Sequence, residues 1–324
     1  MEKEASKQYK SVIAIFYDES DFFSLKKLSF FEKAILFIIK FLVAGNPHEN
    51  KFFIKVRDLL LSFHAFPKFE KWVLNQINTE LVYDNLVVVK GYGLSENAIQ
   101  SINVKCKSLY QWDNIIHFPS TLSLSKAFDV VYSFDKADAQ SMGWKFLPNF
   151  YLSSTHKKDE INLKSNDLFF VGVYSPLRLR ILADLIVWAN VNGYSYYFKL
   201  YSKFLQEDEI ITNEKICKEK YNDLFRRSKF IIEISKCEQV GYSQRYLESL
   251  DNGSVFVVAN SPELKVSKGH IISLSEFKSN SIVQNDFLLS SFLTLDESEV
   301  LEVCEVSNWL KLLTCNSDAI YFSI

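Results

Sequence analysis

Cysteine pairs at metal-ligand spacing are missing from this chain of 324 residues. Its five cysteines (Cys106, Cys217, Cys237, Cys304 and Cys315) lie far apart, with no C-x-x-C and an odd count. The five histidines show no ligand spacing with them. A zinc-ribbon-like site is excluded, and reduced thiols of a cytoplasmic protein are expected rather than a disulfide framework. Long apolar runs are missing too. Ala34–Ala44 is broken by Lys40 and falls well short of the roughly twenty residues a membrane-spanning helix needs. The opening MEKEASKQYKS is polar, and no apolar stretch with a small-residue cleavage site follows, so no secretory leader is expected. Neither sign of charge dominates: 37 Lys and Arg against 39 Asp and Glu leave a net charge of −2, unlike a general nucleic-acid binder. Glycine is scarce, at 9 residues. Gly91-Tyr92-Gly93 follows an apolar strand pattern but has no third glycine, and Glu96 stands close by. It reads as a tight βα turn lining a cleft, not as a dinucleotide fingerprint.

What is present is a globular composition, 48% hydrophobic and 23% charged, in a chain longer than a single core usually supports. Two domains are expected, 1–152 and 153–324, joined at the polar, aperiodic stretch 152–166, with the terminal helix either kept in the second or packed back on the first. Strand patterns occupy 12–17, 86–90, 107–110, 129–134, 168–173, 194–201, 229–235, 254–259 and 270–274. Helical patterns occupy 29–44, 51–64, 67–78, 176–192, about 219–228, 243–251, 285–293 and 297–315. Their alternation in both halves predicts an α/β fold with two doubly wound, Rossmann-like parallel sheets.

The organising stretch is 229–260. Lys229–Ser235 reads as a buried strand interrupted only by Glu233, Lys236–Tyr242 as a loop, and Ser243 as the start of a helix closed by Asn252-Gly253. The loop and first helical turns of this βαβ unit carry Gln239, Gly241, Arg245 and Glu248. Ligands of open parallel sheets bind beyond the carboxyl ends of strands, and a helix amino end there suits a diphosphate. Gly241 lets backbone approach a phosphate, and Arg245 and Glu248 share a helix face. The alternative is that these two form a surface ion pair. Arg178 and Arg180 occupy the first turn of another helix, where a cation opposes the helix dipole unless an anion is near. Arg178, Arg180 and Arg245 are three of only six arginines. In the amino-terminal half, Asp113 follows a strand and suits a general base, or else caps the next turn. His117 is a second candidate base, or a loop histidine packed under Phe118. Asp135 reads as the N-cap of a helix containing Asp138.

Gln239-x-Gly241-x-x-x-Arg245-x-x-Glu248, followed by an apolar strand ending at Asn260, resembles bacterial glycosyltransferases of the GT-B type. More narrowly, it looks like those of capsular polysaccharide and lipopolysaccharide (O-antigen) biosynthesis. Three further stretches agree in order: Tyr110–Asp113, Phe128–Asp138, and Asp167–Gly172 with Arg178 shortly after. Tyr242, Ser243 and Asn252 depart from the family's usual residues. The resemblance implies two Rossmann-like domains facing a central cleft. The carboxyl-terminal domain would hold a nucleotide-sugar donor, with Lys236, Gln239, Gly241, Ser243, Arg178 and Arg245 toward its diphosphate or sugar and Glu248 on the ribose. The amino-terminal domain would present a saccharide acceptor, lipid-linked in many such enzymes, with Asp113 as base and Gly91, Trp112, His117 and Asp135 lining the cleft. No metal and no cofactor beyond the donor itself is implied, and no nucleic-acid partner. A sugar-nucleotide epimerase and a non-catalytic sugar-nucleotide-binding subunit are the alternatives. Lys26, Lys27, Lys33 and Lys40 flank the apolar run, so 26–44 is either a buried helix or an interfacial one, docking a cytoplasmic enzyme on the inner membrane face.

Overall fold

The computed structural model describes residues 12–15, 56, 59, 66–78, 81–116, 118–152, 164–202, 205–235, 243–259, 271–279 and 295–314. The expected helices at 29–44 and 285–293, and the segment 26–44, lie outside these residues. The chain divides into two compact units, Met1–Pro148 with Val306–Ile324, and Asn149–Glu305.

The first unit is built on β1 (Val12–Ile15), β2 (Tyr83–Val89), β3 (Val104–Gln111), β4 (Val130–Ser133) and β5 (Lys145–Phe146), paired in that order and all parallel. Helices α1 (Glu96–Ser101), α2 (Thr121–Leu124) and α3 (Lys136–Met142) connect the later strands. A parallel sheet is covered on both faces, so its strands read as apolar runs such as the LVVV of β2. Leu86 and Val88 point to one face, where Ile99, Leu109 and Leu124 complete a cluster. The last described helix, Val306–Leu313, belongs to this unit. It buries Trp309 completely, edge-on to Tyr110 at 4.6 Å, with the indole N–H donating to Pro148 O at 3.0 Å. Tyr132 Oη donates to Leu312 O at 2.8 Å. Strand β5 escapes sequence reading because two residues show no period. Cys106 is disulfide-bonded, which corrects the expectation of reduced thiols at that position; Cys217 and Cys304 are free. Bridging needs thiols adjacent in space, which sequence spacing does not report.

The second unit contains β6 (Asn166–Val173), α4 (Pro176–Asn192), β7 (Tyr196–Tyr201), β8 (Ile211–Thr212), α5 (Lys218–Arg226) and β9 (Ser228–Glu233). It continues with α6 (Gln244–Asp251), β10 (Val255–Val258), β11 (Ile271–Ser273), α7 (Leu274–Ser279) and α8 (Leu295–Cys304). Its sheet runs β11-β10-β9-β6-β7-β8, all parallel. Counted from β6 as the first strand and read from the β8 edge, this is the doubly wound order 3-2-1-4-5-6 of dinucleotide-binding folds. The order reverses between β6 and β9. Alternation along the strands splits the core in two. Leu168, Phe170, Phe230 and Val257 meet α4 and α7 on one face, and Phe169, Ile231 and Phe256 meet α5, α6 and α8 on the other.

Helix α4 starts where Ser175 Oγ accepts from Arg178 N at 3.2 Å ahead of Pro176, and ends on Gly193 at φ 73°. Short β8 and α7 are additions to the elements expected, and the helix expected over 297–315 is two helices divided at Glu305. Lys164, in the stretch read as linker, is tied into the unit instead. Its ammonium donates to Ser228 O, Gly253 O and Ser254 Oγ at 3.2, 3.1 and 2.6 Å, and burial pushes its pKa down to about 7. Among the described residues no helix is long and apolar enough to cross a membrane.

Candidate functional site

At the switch point of the second sheet, two arginines donate to main-chain carbonyls at the carboxyl ends of β6 and β9. Arg178, in the first turn of α4, donates through Nε and Nη2 to Ile234 O at 3.2 and 3.1 Å, and through Nη1 to Val173 O at 3.0 Å. Arg245, in the first turn of α6, donates through Nη2 to Val171 O at 2.9 Å. Both guanidiniums lie over the ring of buried Phe170, at 5.7 and 5.2 Å from its centroid. Two cations thus meet at one sheet edge.

The carboxylate that holds Arg245 is Glu233, the last residue of β9, at 2.9 Å from Nη1. The expected alternative, an Arg245–Glu248 ion pair on the surface, is therefore replaced by a pair one strand away, 4% exposed on the acid side. Ser243 Oγ donates to the same Glu233 oxygen, also at 2.9 Å. Ser243 occupies the N-cap position of α6, yet its side chain caps none of the helix amides. Tyr221, on α5, adds a favourable electrostatic interaction with the Arg245 guanidinium. Burial works against the charge of Arg245, but Glu233 and the Tyr221 oxygen more than offset it, and the guanidinium is held ionised.

Glu248 lies one turn further along α6. Burial pushes its carboxyl from 4.5 up to about 7, against the opposing pull of Arg245 and Lys218. A raised carboxyl pKa means that between 4.5 and about 7 the folded chain holds a proton the unfolded chain has released, so stability falls as pH rises through that window. Glu248→Gln is expected to remove this slope, gaining on the parent chain by an amount on the order of 3 kcal/mol between about pH 4.5 and 7. Urea unfolding of both chains at a series of pH values checks it; parallel curves would mean Glu248 titrates normally.

Lys236, Gln239 and Gly241, expected to complete this edge, lie outside the described residues, as does His117. The placement of Arg178 was expected to need an anionic ligand. The Ile234 and Val173 carbonyls already supply acceptors for it. Arg180, two residues on, points to solvent.

The described residues among those expected in the first unit follow the carboxyl ends of β2, β3 and β4. Asp113 Oδ2 is 2.6 Å from Lys90 Nζ, which also lies 5.5 Å from the centre of the Phe118 ring. Lys90 adopts φ 68°, a left-handed backbone that a lysine seldom takes. Trp112 is half-buried beside Asp113. Gly91 is a correction: it faces the core, not a cleft. A Cβ there would lie 2.5 Å from Leu124 Cδ2 and 3.3 Å from Leu109 Cδ1, so packing of α2 on β3 demands the glycine. Asp135 is fully buried and caps α3 by accepting from Ala137 N and Asp138 N at 2.9 and 3.1 Å. Its role is the capping one, and a lining role is corrected by its burial. Asp138 accepts from Ile115 N at 2.8 Å, which ties the loop after β3 to α3. Among the described residues no group of His, Cys, Asp and Glu can hold a metal ion.

Sequence reasoning missed Lys90, Tyr221 and the partnership of Glu233 with Arg245. One signal was available: an acid in an otherwise apolar strand, FIIEI, needs a buried cation.

No protein-family model matches this chain, and no curated protein matches it. Among solved structures it is similar to the trehalose-6-phosphate phosphatase N-terminal domain of Candida albicans, at 13% identity and TM-score 0.49, over 78% of this chain and 74% of that one. It is also similar to an α,α-trehalose-phosphate synthase (UDP-forming) from Burkholderia vietnamiensis, at 10% identity and TM-score 0.45, over 89% and 85%. With TarM it shares 12% identity at TM-score 0.47, over 76% of this chain but 57% of TarM, less than two thirds of that protein. Likenesses this distant decide neither activity nor substrate.

Proposed function

We propose that this chain is a nucleotide-sugar-dependent glycosyltransferase of the GT-B type that builds bacterial surface polysaccharide. The observation that supports it most is the pair of guanidiniums, Arg178 and Arg245, at the point where a sheet of dinucleotide-binding order reverses, with Glu248 one turn away. In this reading the donor's diphosphate lies against the amino end of α6, and Glu248 accepts hydrogen bonds from the ribose. Transfer forms a bond between the acceptor oxygen and the anomeric carbon while the bond to the diphosphate breaks and its electrons stay with the leaving nucleotide. Arg245 and the α6 amides oppose the charge that collects there, a preorganised effect needing no reorientation at the moment of reaction. The acceptor's proton passes to a base, for which Asp113 is the candidate. The acceptor is a saccharide, lipid-linked, met at the membrane face through 26–44; binding to anionic vesicles at low salt tests that contact.

Incubation with a panel of nucleotide sugars and saccharide acceptors tests the whole. A transferase releases nucleoside diphosphate in step with acceptor; an epimerase yields a new sugar nucleotide without one; a binding subunit does neither. Excess EDTA is expected to leave the rate unchanged, because this reading assigns the leaving group's charge to side chains and amides; a loss restored by a divalent ion would reassign that role to a metal. For the base, Asp113→Asn is expected to lower kcat by about 10²–10⁴ with donor KM unchanged. Lys90→Met supplies the control. If the two variants lose activity equally, the pair is only a tether.

A further inference from the structure

We propose that Glu233 is a positioning residue of the donor site, holding the Arg245 guanidinium and the Ser243 hydroxyl in one fixed arrangement before any ligand arrives; this rests on the transferase reading above. Two local rules are broken here, and both departures end on the same oxygen. First, Phe230, Ile231 and Ile232 precede Glu233 in β9 as buried apolar residues, and buried Ile234 follows it. An apolar residue would fit that run, and replacing both members of a buried ion pair by packed apolar groups often leaves a fold equally or more stable. Second, a serine at an N-cap usually accepts from the helix amides, yet Ser243 Oγ turns away and donates to Glu233 Oε2. Departures of this kind concentrate where function outweighs stability.

The geometry gives the arrangement its purpose. Glu233 Oε2 takes the Nη1 edge of Arg245 while Val171 O takes the Nη2 edge, so the guanidinium plane is fixed between β9 and β6. Ser243, drawn to the same oxygen, does not cap the first turn of α6. A carboxylate this close to a bound anion would on charge alone weaken the anion's binding. Positioning predicts the opposite sign, and the two accounts separate cleanly.

The test is calorimetric titration with uridine, guanosine, cytidine and thymidine diphosphates of the parent chain, Glu233→Gln, and Arg245→Lys, which keeps the charge and loses the fork. The expected result is that the best diphosphate binds the parent chain and binds Glu233→Gln about tenfold or more weakly, the size of a lost charge-assisted hydrogen bond. Arg245→Lys is expected to be as weak, despite its unchanged charge. Unchanged or tighter binding by Glu233→Gln overturns the positioning role and leaves the transferase reading standing. No binding by the parent chain overturns that reading, and the positioning role with it. Should Glu233→Gln fail to fold, Arg245→Lys decides: retained affinity means charge alone matters, and orientation is excluded.

Discussion

Arg245→Met is expected to destabilise the second unit by about 3–5 kcal/mol, the largest effect of any single polar substitution in it. Methionine roughly matches the arginine in length and apolar volume, so little is lost in packing. What is lost is the partner of Glu233, a carboxylate 4% exposed, together with a donor to Val171 O and the stacking over Phe170. An acid left in that strand without its partner carries the desolvation cost of a buried charge unopposed. The double variant Arg245→Met with Glu233→Leu removes both charges and is expected to recover most of the loss. Urea unfolding of the two single variants and the double gives the cycle. A deficit under about 1 kcal/mol for Arg245→Met would place the pair among weakly contributing surface bridges.

Gly91→Ala is expected to cost the first unit about 2–5 kcal/mol, from a left-handed backbone of about 1–2 kcal/mol and an overpacked core of about 1–3. The Cβ would come within 2.5 Å of Leu124 Cδ2, and the backbone sits at φ 64°. Gly143 is the control. It has nearly the same φ, 68°, and nothing within 4 Å of its Cβ position, so Gly143→Ala carries the backbone cost alone. The difference in thermal unfolding between the two variants isolates the contact with Leu124. Equal losses would show that α2 moves aside freely.

Local grammar carried much of the fold. Apolar runs such as Leu168–Val173 and Val255–Val258 announce buried parallel strands, Ser175-Pro176 opens α4, and Gly193 closes it. Element type follows from spacing because a strand or helix must turn its apolar residues to the core in its own period. The strand order does not follow in that way. Nothing in the FIIE of β9 says that it pairs with β6 rather than with β7; that depends on crossovers whose direction is set in three dimensions. The candidate site was legible as an inventory and misread as a wiring diagram. Arg245 and Glu248 are three apart and invite pairing, but the acid that reaches the guanidinium stands 12 residues earlier, on a neighbouring strand. Asp113 was legible as an acid beyond a strand end, whereas Lys90 was hidden because a lysine in a left-handed turn has no sequence signature.

The return of Val306–Leu313 to the first unit has a consequence for how the chain matures. Trp309 is buried against Tyr110 and hydrogen-bonded to Pro148 O, so the first unit's core is unfinished until those late residues arrive. During translation the ribosome delivers 149–305 before them. The unit begun first is therefore the one whose core is completed last.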